Sequence, residues 1–476
     1  MKVLAVASEA VPLVKTGGLA DVVGALPAAL AGEGVEMRVL LPGYRGLAAR
    51  LEAPRPVRLE TAWGTVDLVL GRIGACEFAL VDAPGLYDRD GGPYAGPDGR
   101  DWGDNPHRFA YLARVGAAIA AAGLDGWRPD AVHAHDWQAG LLPAFLAEDH
   151  AHAPPVLFTI HNIAFQGAYD RGVLTEIGLS DRLMTLDGIE YHGGVGFLKA
   201  GIALSDRVST VSPGYAAELM TPEFGMGLDG LLRHRSGVVS GVLNGIDTHL
   251  WDPASDPALP ARYGPETLAE KARNRAALAE RFALDPAADA PLFIVVSRLT
   301  WQKGLDLLLE ALAALLSTGG TLALLGSGEP GLEDGLRGAA RAHPGRIGVE
   351  IGYDEALSHL MLGGGDAILV PSRFEPCGLT QLMGLRYGTV PVVARTGGLA
   401  DTVIDANEAA RRAGVATGVL HAPGDAAALA RAIGRTAALF RDRPGWAAIQ
   451  RAGLGHPVGW EASAAAYAAL YRQMRP

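Results

Sequence analysis

Cysteine is nearly absent from the chain. Only Cys76 and Cys377 occur among 476 residues. Two thiols so far apart exclude a disulfide framework, and alone they cannot complete a four-ligand zinc site. Long apolar runs are lacking too: no stretch reaches the ~18 residues that a membrane-spanning helix needs. The opening MKVLAVASEAVPL is interrupted by Glu9 and has no cleavage-type segment after it. It reads as a buried first strand, not as a secretory leader. Positive charge is in deficit, with 41 Lys and Arg against 52 Asp and Glu. That disfavours nonspecific nucleic-acid binding, although a local basic pocket can still hold phosphates. Like-charge runs are short, which argues against disorder. The expectation is a cytoplasmic protein with neither membrane nor nucleic acid as a partner.

What is abundant is apolar residue, 49% of the chain, cut into short runs. Lys2–Ala7, Arg38–Leu41, Ala131–His133, Val156–Thr159 and Val208–Val211 read as strands, and Leu19–Ala31 as a helix. The rhythm restarts at Pro291. There PLFIVVSRL, TLALLGSG, Ala367–Pro371 and VPVVA read as strands, and Gly304–Leu316 as a helix. Alternating strands and helices of this kind predict parallel sheets covered on both faces. The expected fold class is α/β, with two Rossmann-like doubly wound domains and a cleft between them. Proline and charge concentrate in Asn244–Asp285, so the predicted boundary lies near Val242. The expected domains are 1–242, 243–455, and a terminal helical segment, 456–476, that packs back on the first domain.

The hexapeptide TGGLAD occurs at Thr16–Asp21 and again at Thr396–Asp401, each time between a strand and a helix. Glycines there let backbone N–H groups approach an anion, and a helix start adds positive potential. Lys15 precedes the first copy and Arg395 the second. Both copies can also be plain tight turns, since the hexapeptide is neither a dinucleotide fingerprint nor a phosphate-binding P-loop. Arg298 and Lys303 flank a strand end and a helix start, a placement that suits a diphosphate or, equally, a solvated surface pair. Glu375 lies in a proline-bounded turn before Gly378–Thr380, whose amides open a helix. Cys377 reads as a packing residue. His133, His135 and Asp136 cluster at one strand end, and His161 with Asn162 at another. A zinc site there is disfavoured because no third His or Cys cluster offers itself.

Taken in order, Lys15-Thr-Gly-Gly-Leu, His133–Trp137, His161-Asn162, Asn244-Gly-Ile-Asp, Arg298 to Lys303-Gly and Phe374-Glu-Pro-Cys-Gly-Leu-Thr resemble the bacterial glycogen synthases and plant starch synthases. The likeness runs from about residue 1 to about residue 470. It implies the two-domain GT-B architecture and transfer of glucose from ADP-glucose to the non-reducing end of an α-1,4-glucan, glycogen included, with retention. The first domain would hold the glucan and the second the nucleotide. The resemblance assigns Arg298 and Lys303 to the diphosphate, and Lys15 beside Gly18 to the donor. Asp21, His161, Asn162, Asn244 and Glu375 fall on sugar-contacting positions. Cys377, Gly378, Leu379 and Thr380 fall at the phosphate and glucose, and Tyr353 where adenine stacks. Asp136 and Tyr94 match acceptor-side positions. Many retaining relatives in the wider class carry a second glutamate eight residues after the first. Here that position is Met383, and members of the glycogen and starch synthase group also lack that glutamate.

No cofactor and no metal is expected, on the reading that the chain has no D-x-D donor-metal motif and that preorganised cations and helix-start amides can stabilise a departing diphosphate. Three rivals remain at this stage. One is a phosphorylase of the same architecture, which would bind pyridoxal phosphate. Another is a non-catalytic glucan-binding module. The nearest is a synthase that uses UDP-glucose.

Overall fold

Runs such as Leu292–Val296 and Ala131–His135 are buried along almost their whole length. A strand apolar on both faces is stable only inside a sheet covered by helices above and below. A computed structural model describes residues 1–149 and 153–474 and divides the chain into two units. The first is Met1–Asn244 together with the segment from Trp460 onward, and the second is Gly245–Gly459.

In the first unit the strands are β1 (Lys2–Val6), β2 (Glu36–Pro42), β3 (Glu52–Thr61), β4 (Gly64–Ile73), β5 (Cys76–Val81), β6 (Ala131–His135), β7 (Val156–Ile160), β8 (Ala168–Tyr169), β9 (Glu190–Tyr191), β10 (Gly194–Gly196), β11 (Arg207–Thr210) and β12 (Val239–Gly241). Nine of them form one sheet in the order β12-β11-β7-β6-β1-β2-β5-β4-β3, and β8, β10 and β9 form a small separate sheet. From β12 to β5 the pairing is parallel. Beyond β5 it turns antiparallel through β4 and β3, which corrects the expectation of parallel pairing throughout. Pro54 and Pro56 sit in β3, the edge strand, where a missing N–H costs no ladder bond.

The terminal helix Glu461–Gln473 belongs to this unit. Tyr467, Ala468 and Tyr471 are buried in one cluster with Val3, Val23 and Leu26. Burying an aromatic side chain of that size contributes on the order of 3 kcal/mol. The Tyr471 hydroxyl lies 2.8 Å from His133 Nδ1 inside that core.

The second unit holds β13 (Leu292–Val296), β14 (Thr321–Gly326), β15 (Ile347–Ile351), β16 (Ala367–Val370), β17 (Val390–Ala394) and β18 (Val419–His421). Their order, β15-β14-β13-β16-β17-β18, is all parallel. It is the order of dinucleotide-binding sheets, whose ligand crevice opens where the strand order reverses, here between β13 and β16. The chain enters and leaves this unit side by side, for Ile246 N donates to Val458 O at 2.9 Å. Among the described residues no helix is long and apolar enough to cross a membrane.

Candidate active site

In the first unit the strand order reverses between β1 and β6, and the polar residues gather beyond those carboxyl ends. After β1 comes Glu9, 3% exposed. Its carboxylate accepts from Thr16 N, from Thr16 Oγ1 at 2.7 Å, from Gly17 N at 3.3 Å and from the Tyr94 hydroxyl at 2.6 Å. Tyr94 OH also lies 2.7 Å from Ser8 Oγ. Lys15 is exposed and pairs with Asp21 at 2.7 Å. Gly18, the first residue of the helix Gly18–Ala31, is exposed as well.

Asp136 follows β6 with φ of 55°, the left-handed region that a short polar side chain tolerates. Its Oδ1 accepts from His161 N at 2.7 Å and from Asn162 N at 3.4 Å, which ties the end of β6 to the end of β7. Burial lifts its carboxyl to about 7, and the two amide donors oppose that rise. His161 Nε2 lies 3.0 Å from His135 Nδ1. Burial lowers His161 to about 3 and drives His133 and His135 down too, so all three imidazoles are neutral near pH 7. Two neutral imidazoles can share one proton between facing nitrogens, so one donates and the other accepts. Asn244, after β12, is 8% exposed, and its buried Oδ1 has no hydrogen-bond partner within the described chain. An acceptor left open in this way is available to a ligand donor.

In the second unit Arg298 and Lys303 follow β13, and Glu375 follows β16, at the reversal of strand order. Lys303 Nζ donates to Glu375 Oε2 at 2.5 Å, and Ser372 Oγ donates to the same oxygen at 2.9 Å. The two cations are therefore not equivalent. Lys303 is held against a carboxylate only 7% exposed at its side chain. Arg298 is exposed and, among the described residues, makes no ion pair. Gly378 has φ of 75°, and a Cβ there would come 2.4 Å from Gln381 Oε1. Gln381 Nε2 in turn donates to the carbonyls of Cys377 and Gly378. Leu379 and Thr380 open the short helix Thr380–Arg386, and Cys377 is buried. Tyr353 presents its ring to solvent, 75% exposed, and its hydroxyl donates to Glu355 at 2.6 Å.

The second TGGLAD does not present its glycines as the sequence suggested. A Cβ on Gly397 would lie 2.1 Å from Glu375 O, and one on Gly398 2.4 Å from Cys377 Cα. Gly398 N is already bonded to the Glu375 and Pro376 carbonyls. These glycines serve close backbone packing behind the 375–378 turn. Glu9, Ser8, Ser372 and Gln381 were not singled out from the sequence. Glu9 alone left a signal, a carboxylate breaking an apolar strand end just before a glycine loop. Asp88-Arg89-Asp90 is a D-x-D triplet, which corrects the expectation that the chain has none, and both its carboxylates pair with Arg45, Asp88 at 2.6 Å. Among the described residues no group of three or more His, Cys, Asp or Glu is placed to hold a metal ion.

Two Rossmann-like units, each with a cation and a carboxylate beyond the reversal of its strand order, are the setting of a glycosyltransferase, and the family comparisons assign that class. Residues 2–234 match the family described as starch synthase catalytic domain, and residues 278–438 the glycosyl transferases group 1. The chain belongs to the glycogen synthase family. It is 56% identical over 476 residues to a glycogen synthase of Rhodopseudomonas palustris, covering all of this chain and 99% of that one. A glycogen synthase of Roseobacter denitrificans is 55% identical over 481 residues, with the same coverage. Among solved structures, the catalytic domain of starch synthase IV from Arabidopsis thaliana, bound to ADP and acarbose, superimposes with a TM-score of 0.90. It is 30% identical, with 99% of each chain covered. A sucrose-phosphate synthase from Thermosynechococcus elongatus, 20% identical over 99% of this chain and 98% of its own, shares the fold at a TM-score of 0.58.

Proposed function

We propose that the chain transfers glucose from ADP-glucose to the non-reducing end of an α-1,4-glucan with retention of the α configuration. The observation that carries this reading is the convergence of Arg298, Lys303 and Glu375 at the strand reversal of the second sheet. Negative charge grows on the diphosphate as the glucosyl bond breaks. Cations fixed beforehand stabilise that charge without reorganising at the moment of reaction. Lys303, held by Glu375, is such a cation, Arg298 adds a second positive charge, and the Gly378–Thr380 segment supplies backbone amides. Tyr353 offers an exposed ring for the adenine. In support, a relative of the same fold was solved with ADP and acarbose bound.

Retention proceeds by front-face attack in this reading. The bond from C1 to the diphosphate oxygen breaks, and the acceptor hydroxyl oxygen bonds to C1 on the same face. Its proton passes to the departing phosphate oxygen. Glu375 is engaged by Lys303 and Ser372, so its carboxylate orients the cation and sugar hydroxyls and is not a free nucleophile. His161, neutral near pH 7, positions the sugar, and Asn162, Asn244 and Asp21 hydrogen-bond to it. Lys15 contacts the donor, and Asp136 and Tyr94 lie on the acceptor side. Glucose incorporation into glycogen, with ADP-glucose and UDP-glucose compared side by side, tests the proposal. Strong preference for ADP-glucose is expected, and equal or faster transfer from UDP-glucose overturns it. A bound pyridoxal chromophore in the absorbance spectrum would point to a phosphorylase instead.

A further inference from the structure

We infer that Glu9 is the positioning residue of the first glycine loop. Its carboxyl group fills the loop's amide cradle and leaves donor recognition there to the Lys15 side chain. Successive backbone N–H groups aimed at one point form a cradle for an anion, and in many proteins a ligand phosphate fills it. Here the N–H groups of Thr16 and Gly17 both point at Glu9 Oε2. The occupant is the chain's own carboxylate, 3% exposed. It makes no ion pair among the described residues, because Lys15, the nearest cation in sequence, is bound to Asp21. A buried carboxylate without a cation is held by hydrogen-bond donors alone. Glu9 has four of them, the two amides and the hydroxyls of Thr16 and Tyr94.

The second oxygen gives the arrangement its reach. Oε1 takes both the Thr16 and the Tyr94 hydroxyl, so the loop that carries Lys15 and the segment that carries Tyr94 are keyed to one group. Tyr94 is itself anchored from behind. Its carbonyl accepts from Trp102 N at 3.0 Å and from Asn105 Nδ2 at 2.9 Å. Asn105 Oδ1 accepts from Arg108, a guanidinium 1% exposed that also binds the carbonyls of Leu86 and Pro93. A phosphate brought to the Thr16 and Gly17 amides would meet Glu9 already in place. The exposed Lys15 ammonium is what the loop presents to a donor. The inference rests on the donor-side assignment of Lys15 made above, and it adds the group that sets that lysine's loop against Tyr94.

Position and charge make opposite demands on substitutions at residue 9. Glu9→Gln keeps the reach. Its amide oxygen can face the two N–H groups, and its NH2 can face hydroxyls that turn to accept. Glu9→Asp keeps the charge but falls one methylene short. The experiment is steady-state kinetics with ADP-glucose and glycogen for Glu9→Gln, Glu9→Asp, Glu9→Ala and Lys15→Ala. The alanine variant is assayed with and without sodium formate, with sodium chloride as the ionic-strength control. We expect Glu9→Gln within about fivefold of wild-type kcat, Glu9→Asp down tenfold or more, and Glu9→Ala down about a hundredfold, the scale of an ångström-sized misplacement. Formate, a free carboxylate small enough for the vacated cradle, should return about tenfold of the lost rate, and chloride none. Glu9→Asp outperforming Glu9→Gln would overturn the proposal, as would formate leaving Glu9→Ala unchanged. If Glu9→Ala does not fold, the order of the other two variants decides. Wild-type kinetics for Lys15→Ala would remove the donor-side assignment itself. An impaired Lys15→Ala with the order at residue 9 reversed would remove the Glu9 proposal alone.

Discussion

The same six residues, Thr-Gly-Gly-Leu-Ala-Asp, stand at 16–21 and at 396–401, and their surroundings are opposite. In the first copy Thr16 and Gly18 are exposed, and a Cβ on Gly17 would meet nothing within 4 Å. A helix of 14 residues follows. In the second copy Thr396 to Leu399 are buried, and a Cβ on either glycine would strike the backbone of Glu375–Cys377. The first loop leaves Lys15 exposed while its Thr16 and Gly17 amides close on Glu9. The second uses it to let two backbone segments touch. One word of sequence therefore carries two physical meanings, and only the neighbours decide which.

The largest effect should come from breaking the buried copy. Gly398→Ala places a methyl 2.4 Å from Cys377 Cα, and backbone cannot yield as a flexible side chain can. We expect a stability loss of about 3 kcal/mol or more, with activity lost as the Glu375 turn shifts. Thermal denaturation and glycogen-primed assays check both. Next is Lys303→Ala, which leaves the Glu375 carboxylate without its cation and, on the proposed function, removes a charge from the diphosphate. A cost of about 3 kcal/mol in kcat, roughly a hundredfold, is expected, with little change in glycogen affinity. Kinetics within twofold of wild type would sink the assignment.

The open half offers a pH test. The Asp136 carboxyl is raised by burial to about 7, above its ordinary value of 3.8. Its stabilising contribution is therefore complete below about pH 4 and lost as the pH rises through about 7. Asp136→Asn, which does not titrate, should gain on wild type by roughly 4 °C in Tm between pH 5 and pH 8. A constant Tm difference would contradict the buried environment. If activity needs the ionised form, the wild type should show an acid limb near pH 7 and the variant low activity at every pH. Smaller again is Tyr353→Ala. The ring is 75% exposed, so stability should hold. Loss of one aromatic stack of about 1 kcal/mol should raise KM for ADP-glucose roughly fivefold. Smallest is Gly17→Ala, with stability within about 0.5 kcal/mol of wild type. A large loss there would erase the contrast between the two loops.

Much of this was legible in the chain. Buried parallel strands such as β1, β7 and β13 are apolar runs interrupted only by Lys2 and Thr159, and the loops beyond them carry the candidate site. The antiparallel β3–β4–β5 ribbon was not. β3 is exposed at most of its positions and holds two prolines, so it offers neither an apolar run nor a clean alternation. The strand-end residues Lys15, Asp136, His161, Arg298, Lys303 and Glu375 were legible as polar interruptions. Their partners were not. Nothing local links Glu9 to Tyr94, or Lys303 to Glu375, because those contacts form only when strands distant in sequence come to lie side by side.

The terminal helix has a consequence for how the molecule is made. Val3 and Leu26 precede the second unit in the chain, yet their cluster includes Tyr467 and Tyr471, which follow it. His133 waits for the hydroxyl of a residue 338 positions downstream. The second unit, Gly245–Gly459, draws on one continuous stretch of chain. During translation it can close on itself as soon as that stretch has emerged. The first unit's apolar core therefore stays incomplete until the helix Glu461–Gln473, which follows the second unit in the chain, has left the ribosome.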